Sequence, residues 1–269
     1  MTVRSFTHAA LLLSGIFIMT ACNRNDDDPQ PGPINPQHQP VKRLVASQND
    51  FQTFNYTEDG KVRSYSAQWQ NSPDGGITTI NQQLVFENGK LKQSNSNAGN
   101  IKYYYQEGKV YRAENFLNNG RKLSDHFFEY SALGKLAEVE EIITDPQEDG
   151  AEAVLIKLSY YPSGNLEKME YWYKETNHDD FALSFTKYFE QYDDKRNPIP
   201  DAILDHWLPE LELFKNNPRV VRTVDANDDT ENLLTITYEY DALGRPVHRD
   251  QRISINGVLK PEIRYSYLY

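Results

Sequence analysis

Few residues in this 269-residue chain have the type and spacing that chemistry needs. Tyr171, Trp172 and Tyr173 form the densest aromatic cluster that contains a tryptophan. On a strand, Tyr171 and Tyr173 face one way and Trp172 the other, so a ring could offer a flat apolar surface to a sugar. The six histidines (His8, His38, His126, His178, His206 and His248) show no i, i+4 pairing with a second ligand, and no metal site is expected. No serine lies in a Gly-x-Ser-x-Gly elbow, and no glycine-rich phosphate loop occurs. Asp225, Asn227, Asp229 and Glu231 alternate like oxygen ligands of a calcium loop. Thr230 stands where the turn glycine belongs and Ile236 where the closing glutamate belongs, so an acidic hairpin loop fits better. Asp145 to Gly150 reads the same way. Neighbouring acids such as Glu140 and Glu141 could form a glycosidase pair, but with 39 acidic residues such pairs arise by chance. No catalytic residue, metal or cofactor is expected.

The remaining reactive residue is Cys22, the only cysteine. It rules out an internal disulfide and any multi-cysteine zinc centre. Arg4 precedes an apolar run from Ala9 to Met19, too short to span a bilayer as a mature helix. The run ends Met19-Thr20-Ala21-Cys22, which resembles the processing site of bacterial lipoproteins. The resemblance implies cleavage before Cys22 and lipid on its sulfur and new amino terminus. Two or three acyl chains anchor a protein stably. Residues 1–21 are therefore expected to be a signal peptide and 22–41 a lipidated tether. The tether holds Asp26, Asp27 and Asp28, then Pro29, Pro31, Pro33, Pro36 and Pro40, a composition that excludes helix and sheet. The acidic triplet also resembles the surface-export signal of Bacteroidetes lipoproteins.

Residues 42–269 are expected to form one domain. A unit recurs in which two aromatic or apolar residues, two apart, precede a short polar gap, then glycine, a basic residue or asparagine, and an aliphatic residue or proline. Copies are Phe54/Tyr56 with Gly60-Lys61-Val62, Leu84/Phe86 with Gly89-Lys90-Leu91, and Tyr103/Tyr105 with Gly108-Lys109-Val110. Further copies are Phe128/Tyr130 with Gly134-Lys135-Leu136, Leu158/Tyr160 with Gly164-Asn165-Leu166, and Tyr238/Tyr240 with Gly244-Arg245-Pro246. A degraded copy runs from Tyr192 to Pro198. The aromatic pair marks one face of a strand, and glycine supplies the positive φ of a tight turn. Each unit is thus a β-hairpin, with its basic residue expected to stay solvated. Consecutive hairpins give an all-β antiparallel meander of about a dozen strands, curled or barrel-like. Residues 199–217 break the pattern: Ile203, Leu204, Trp207, Leu208 and Leu211 lie at helical spacing, and one short helical insertion around 201–215 is expected as a cover for the core.

Tyr238 to Arg245 resembles the core of a YD (Rhs-type) repeat, and the layout is similar to Bacteroidetes lipoproteins of unknown function with such repeats. The resemblance implies architecture and carries over no catalytic residue. With 39 acidic against 28 basic residues, the formal charge is −11, which argues against nucleic-acid binding. The expectation is a non-enzymatic outer-membrane lipoprotein, on the cell surface or the periplasmic face, attached through Cys22 and binding glycan or protein. The alternatives are an envelope polysaccharide hydrolase using acidic residues, and an assembly component that pairs through its sheet edges.

Overall fold

A computed structural model describes residues 39–70, 75–146, 150–200, 211 and 213–269. The chain runs through β1 (Arg43–Val45), β2 (Phe51–Tyr56), β3 (Val62–Gln70), β4 (Ile77–Glu87), β5 (Lys90–Ser96) and β6 (Gly99–Gln106). Next come β7 (Lys109–Leu117), β8 (Lys122–Tyr130), β9 (Leu136–Ile143), β10 (Ala151–Tyr160), β11 (Leu166–Glu175) and β12 (Ala182–Glu190). It ends with β13 (Val220–Asp225), β14 (Glu231–Tyr240), β15 (Pro246–Ile255), β16 (Val258–Leu259) and β17 (Ile263–Leu268).

Each strand from β1 to β15 pairs antiparallel with the next. β15 then pairs with β17, and β17 returns to β1 through Arg43↔Leu268 and Val45↔Ser266. The sheet is therefore a closed barrel of 16 strands, with β16 a two-residue appendage of β15. Beyond the twelve strands of the six full units, the ring gains β12 and β13 and the terminal β1 and β17, whose pairing closes it.

The repeat explains the wall. In each full unit the pairing shifts register at its second aromatic: Asn55/Tyr56, Val85/Phe86, Tyr104/Tyr105, Glu129/Tyr130, Ser159/Tyr160 and Glu239/Tyr240. Each shift is a bulge that leaves one extra residue just after the aliphatic position: Arg63, Lys92, Tyr111, Ala137, Glu167 and Val247. Bulges bend and twist strands, and one per unit at a fixed place curls the meander until it closes. The tight turns use glycine as expected. At Asn88-Gly89 and Glu107-Gly108 both residues have positive φ, 51° and 74° and then 51° and 80°, as a two-residue turn matched to strand twist requires. All these turns, and both ends of the described chain, lie at one end of the barrel.

The inward face is apolar at that end. Leu91, Tyr103, Val110, Leu136, Val139, Ile156, Leu166 and Met169 are all buried in one cluster, each side chain contributing roughly 1.5–3 kcal/mol by leaving water. The connection from β12 to β13 packs described residues into this end. Its Leu213 and Phe214 are 1% exposed, and Phe214 meets Phe189 edge-on at 4.8 Å. The expected helical insertion is not seen. No helix occurs among the described residues, and most of the proposed helix, 201–210 and 212, lies outside them. The described flanks are irregular, non-helical chain, with Leu166 N donating to Leu213 O at 2.7 Å and Asn197 N to Lys215 O at 3.1 Å.

Candidate functional site

Alternation along strands fixes what faces inward. Beyond the apolar layer the interior turns polar. Gln82 Nε2 donates to Ser94 Oγ at 2.6 Å. Ser124 and His126 on β8 and Glu141 on β9 face the same interior, with His126 fully buried and its Nε2 3.3 Å from Glu141 Oε1. Burial alone pushes the Glu141 carboxyl up, but bonding and charge from His126, with Ser124 beside it, outweigh that and hold it below its ordinary value. Gln52, Asn232 and Gln251 also turn inward, each with a buried polar atom lacking a protein partner among the described residues. Such groups want water or ligand.

The outer wall carries ion pairs from β7 round to β17. Arg112 bonds Asp125 at 2.6 Å and Glu114 at 2.8 Å, and Lys122 reaches both acids. Lys168–Glu170, Arg222–Glu190 and Arg264 with Glu239 and Asp250 are further outward pairs.

The wall is recessed where β5 meets β6. Pairing between β5 and β6 covers only Gln93↔Lys102, Ser94↔Ile101 and Asn95↔Asn100. Beyond it, Lys90 to Lys92 and Tyr103 to Gln106 part without ladder bonds. An open-sided cavity of about 440 Å³ lies there, within the range of small-ligand sites. Tyr103 is buried at its back. Tyr105 forms a side beneath Lys90, whose Nζ is 5.2 Å from the ring centre. Tyr104 is fixed by its hydroxyl bond to Glu114 and by Arg112, 5.7 Å from its ring. Tyr111, the bulge residue of β7, is 41% exposed at the rim.

The residues singled out from sequence do not converge. Cys22 lies outside the described residues. Tyr171 points inward and stacks on Phe185 at 4.3 Å, and Tyr173 shares that face. Trp172 lies on the outer wall, with Lys157 Nζ 5.5 Å from its ring. The trio is thus divided between lumen and exterior. Glu140 faces out while Glu141 faces in, so the two cannot flank one substrate bond. His178 is exposed, 3.7 Å from Glu175. Asp225 and Asp228 spend oxygens on the amides of Asn227 and Thr230 within their own loop. No three of His, Cys, Asp and Glu converge on a metal position among the described residues. Sequence reasoning missed the β5–β6 slot, because Tyr103 and Tyr105 read only as strand markers. It also missed Asn165, the unit that carries asparagine at the basic position. Its Oδ1 accepts from the amides of Lys215 and Asn216 at 2.7 and 3.0 Å, pinning the β12–β13 connection; that departure from Lys/Arg was the available signal.

Closed antiparallel barrels of this architecture are known among solved structures. A porin-like protein of Bacteroides uniformis is similar over 85% of this chain and 96% of its own, with a TM-score of 0.55 and 14% identity. A porin-like protein of Bacteroides vulgatus is similar over 85% and 98%, with a TM-score of 0.53 and 14% identity. At that identity the likeness shows the fold. No protein-family model and no curated protein matches the chain.

Proposed function

We propose that the protein is a non-enzymatic binding protein of the cell envelope, anchored in the outer membrane by lipid on Cys22 and presenting its barrel to glycan or protein. The observation that carries this reading is the charged outer wall. A membrane-spanning barrel turns an apolar band toward lipid, where a charge near the midplane costs roughly 2–4 kcal/mol. Ion pairs on β7, β8, β11, β13 and β17 suit water instead. The described chain starts at the glycine-turn end, where Val41 O accepts from Tyr56 Oη at 2.7 Å. The tether therefore joins the barrel at that end, with the opposite loops farthest from the anchor. Ring closure leaves the two-residue β16 as the one strand with a free edge among the described residues, which weighs against the edge-pairing alternative. The porin-like fold of the two Bacteroides proteins supports an envelope setting.

Cell fractionation of the full chain and its Cys22→Ala variant tests the anchor. The wild type should sediment with membranes and carry a lipid-sized mass on the Cys22 peptide. The variant should stay in aqueous solution without detergent. A variant that still requires detergent would overturn the water-facing wall. Protease added to intact cells should degrade a surface-exposed barrel; full protection would reassign it to the periplasmic face. Trp172 is the member of the sequence-derived trio on the outer wall, and Trp172→Ala on a glycan array tests whether that ring takes part.

A further inference from the structure

We propose that the slot where β5 parts from β6 binds a short neutral saccharide on the outside of the barrel, with Tyr111 as the stacking ring and Lys92 as the principal donor. The proposal rests on the binding-protein reading above and adds the place and the ligand class.

The slot arises from the repeat. Lys92 and Tyr111 occupy the same position in successive units, the extra residue of each bulge. A bulge residue is released from the pairing pattern and can be re-aimed without disturbing its neighbours. In these two adjacent units it brings an ammonium and an aromatic ring to one rim. The seam between them is the shortest paired stretch joining successive full units, with three residue pairs, so the cavity lies where the wall is least zipped.

The unspent groups select the ligand. Three tyrosines at the slot are engaged: Tyr103 is buried and bonded to Ser94, Tyr104 bonds Glu114, and Tyr105 lies beneath Lys90. They form a rigid wall. Tyr111, Lys92, Glu87 and Asn88 border the cavity with no side-chain partner among the described residues. This set holds a cationic donor, an anionic acceptor, an amide that does both, and one open aromatic face. Vicinal sugar hydroxyls donate and accept at once, and the apolar face of a pyranose stacks on a ring, so a neutral saccharide meets every group. A phosphate or carboxylate would meet Glu87 beside Lys90 and Lys92, and the net charge of −11 opposes the approach of anions, which the acidic glycans in the test probe directly. A purely apolar ligand would bury the Lys92 and Glu87 charges uncompensated.

The test is an array of neutral hexose and N-acetylhexosamine oligosaccharides with acidic glycans alongside, probed with the full chain and followed by calorimetry on the best binder. A neutral oligosaccharide should bind. Tyr111→Ala and Lys92→Ala should each weaken it about tenfold or more, with the melting temperature unchanged because both side chains are exposed. Trp172→Ala should leave it unaltered. Loss of binding in Trp172→Ala with retention in Tyr111→Ala would keep a glycan-binding protein and overturn this slot. Binding of acidic glycans alone, or of no glycan, would also overturn it, while the Cys22 fractionation still judges the anchored envelope reading separately.

Discussion

The hydroxyl of Tyr130 donates to the carbonyl of Val110 at 2.9 Å, while Lys109 Nζ lies 4.8 Å from the centre of the Tyr130 ring. One unit thus receives the aromatic of the next. The relationship recurs around the barrel. Lys61 lies over Phe86, Lys90 over Tyr105, Lys135 over Tyr160 and Arg245 over Tyr269. Tyr192 and Tyr269 donate to Leu166 O and Pro246 O, the residues following Asn165 and Arg245. The strand ladder between units stops short of the turns, at Arg112↔Phe127 for β7 and β8. The tyrosine hydroxyl replaces the missing backbone donor, so a carbonyl near the core is not left unpaired. The basic residue of each turn is therefore not simply solvated.

Tyr130→Phe keeps the ring and deletes the bond to Val110 O. The expected loss is about 1 kcal/mol, the net worth of one hydrogen bond plus part of the cost of an unmet carbonyl. Lys109→Ala removes a solvent-exposed cation–π contact and should cost about 0.5–1 kcal/mol. Urea unfolding of both variants reads these values. An unchanged midpoint for Tyr130→Phe would show that the hydroxyl bond contributes nothing.

Two glycines separate conformational from steric demand. Gly108 has φ near 80° and open space where a Cβ would stand, so Gly108→Ala should cost about 1–2 kcal/mol for the left-handed backbone alone. A Cβ on Gly99 would fall 2.0 Å from the Phe116 carbonyl oxygen across the β6–β7 pair. Gly99→Ala must push two strands apart and should destabilise more than Gly108→Ala. Thermal melts of the two variants rank them, and the reverse order would refute the close approach at Gly99.

Glu141 gives the barrel an acid-sensitive contact. Its folded carboxyl sits below the ordinary value of 4.5, held there by His126 against the upward push of burial. A depressed carboxylate contributes stability that is fully present above the unfolded value and is lost as pH falls through the folded one. The unfolding free energy should therefore decline below about pH 4.5 with a component that Glu141→Gln lacks. Denaturant titrations of both proteins at neutral pH and in steps below pH 4.5 measure it. Parallel acid limbs would show that Glu141 does not titrate differently on folding.

The hairpins were legible because their signals are local: aromatic alternation sets a strand face, and glycine three or four residues past the second aromatic sets the turn. Closure was not legible. It depends on Arg43 meeting Leu268, and no local pattern encodes a pairing between the chain's two ends. The apolar spacing at 199–217 suggested a helix, yet Leu213 and Phe214 reach the core from irregular chain, where apolar residues satisfy burial without helical periodicity. The binding slot was hidden for a related reason. Lys92 and Tyr111 are ordinary strand residues in sequence and become neighbours only once the bulges of two units fall in register. Clustering along the chain drew attention to Tyr171, Trp172 and Tyr173 instead, and strand alternation divides them between two faces.

The outer wall yields a prediction about salt. Arg112 and Lys122 share Asp125 and Glu114 on the solvent side of β7 and β8. Partial burial pushes the Asp125 carboxyl up, and the two cations outweigh it, leaving it below its ordinary value. All four side chains remain partly exposed, so water and ions screen them. Asp125→Asn leaves two cations facing one acid. It should cost up to about 1 kcal/mol at low ionic strength and less at 1 M salt, where screening acts within about 3 Å. A double-mutant cycle with Arg112→Met at both salt concentrations isolates the pair. A coupling that does not weaken in salt would mean that this stretch of wall is shielded from water, and would count against a barrel whose outer face is built for solvent.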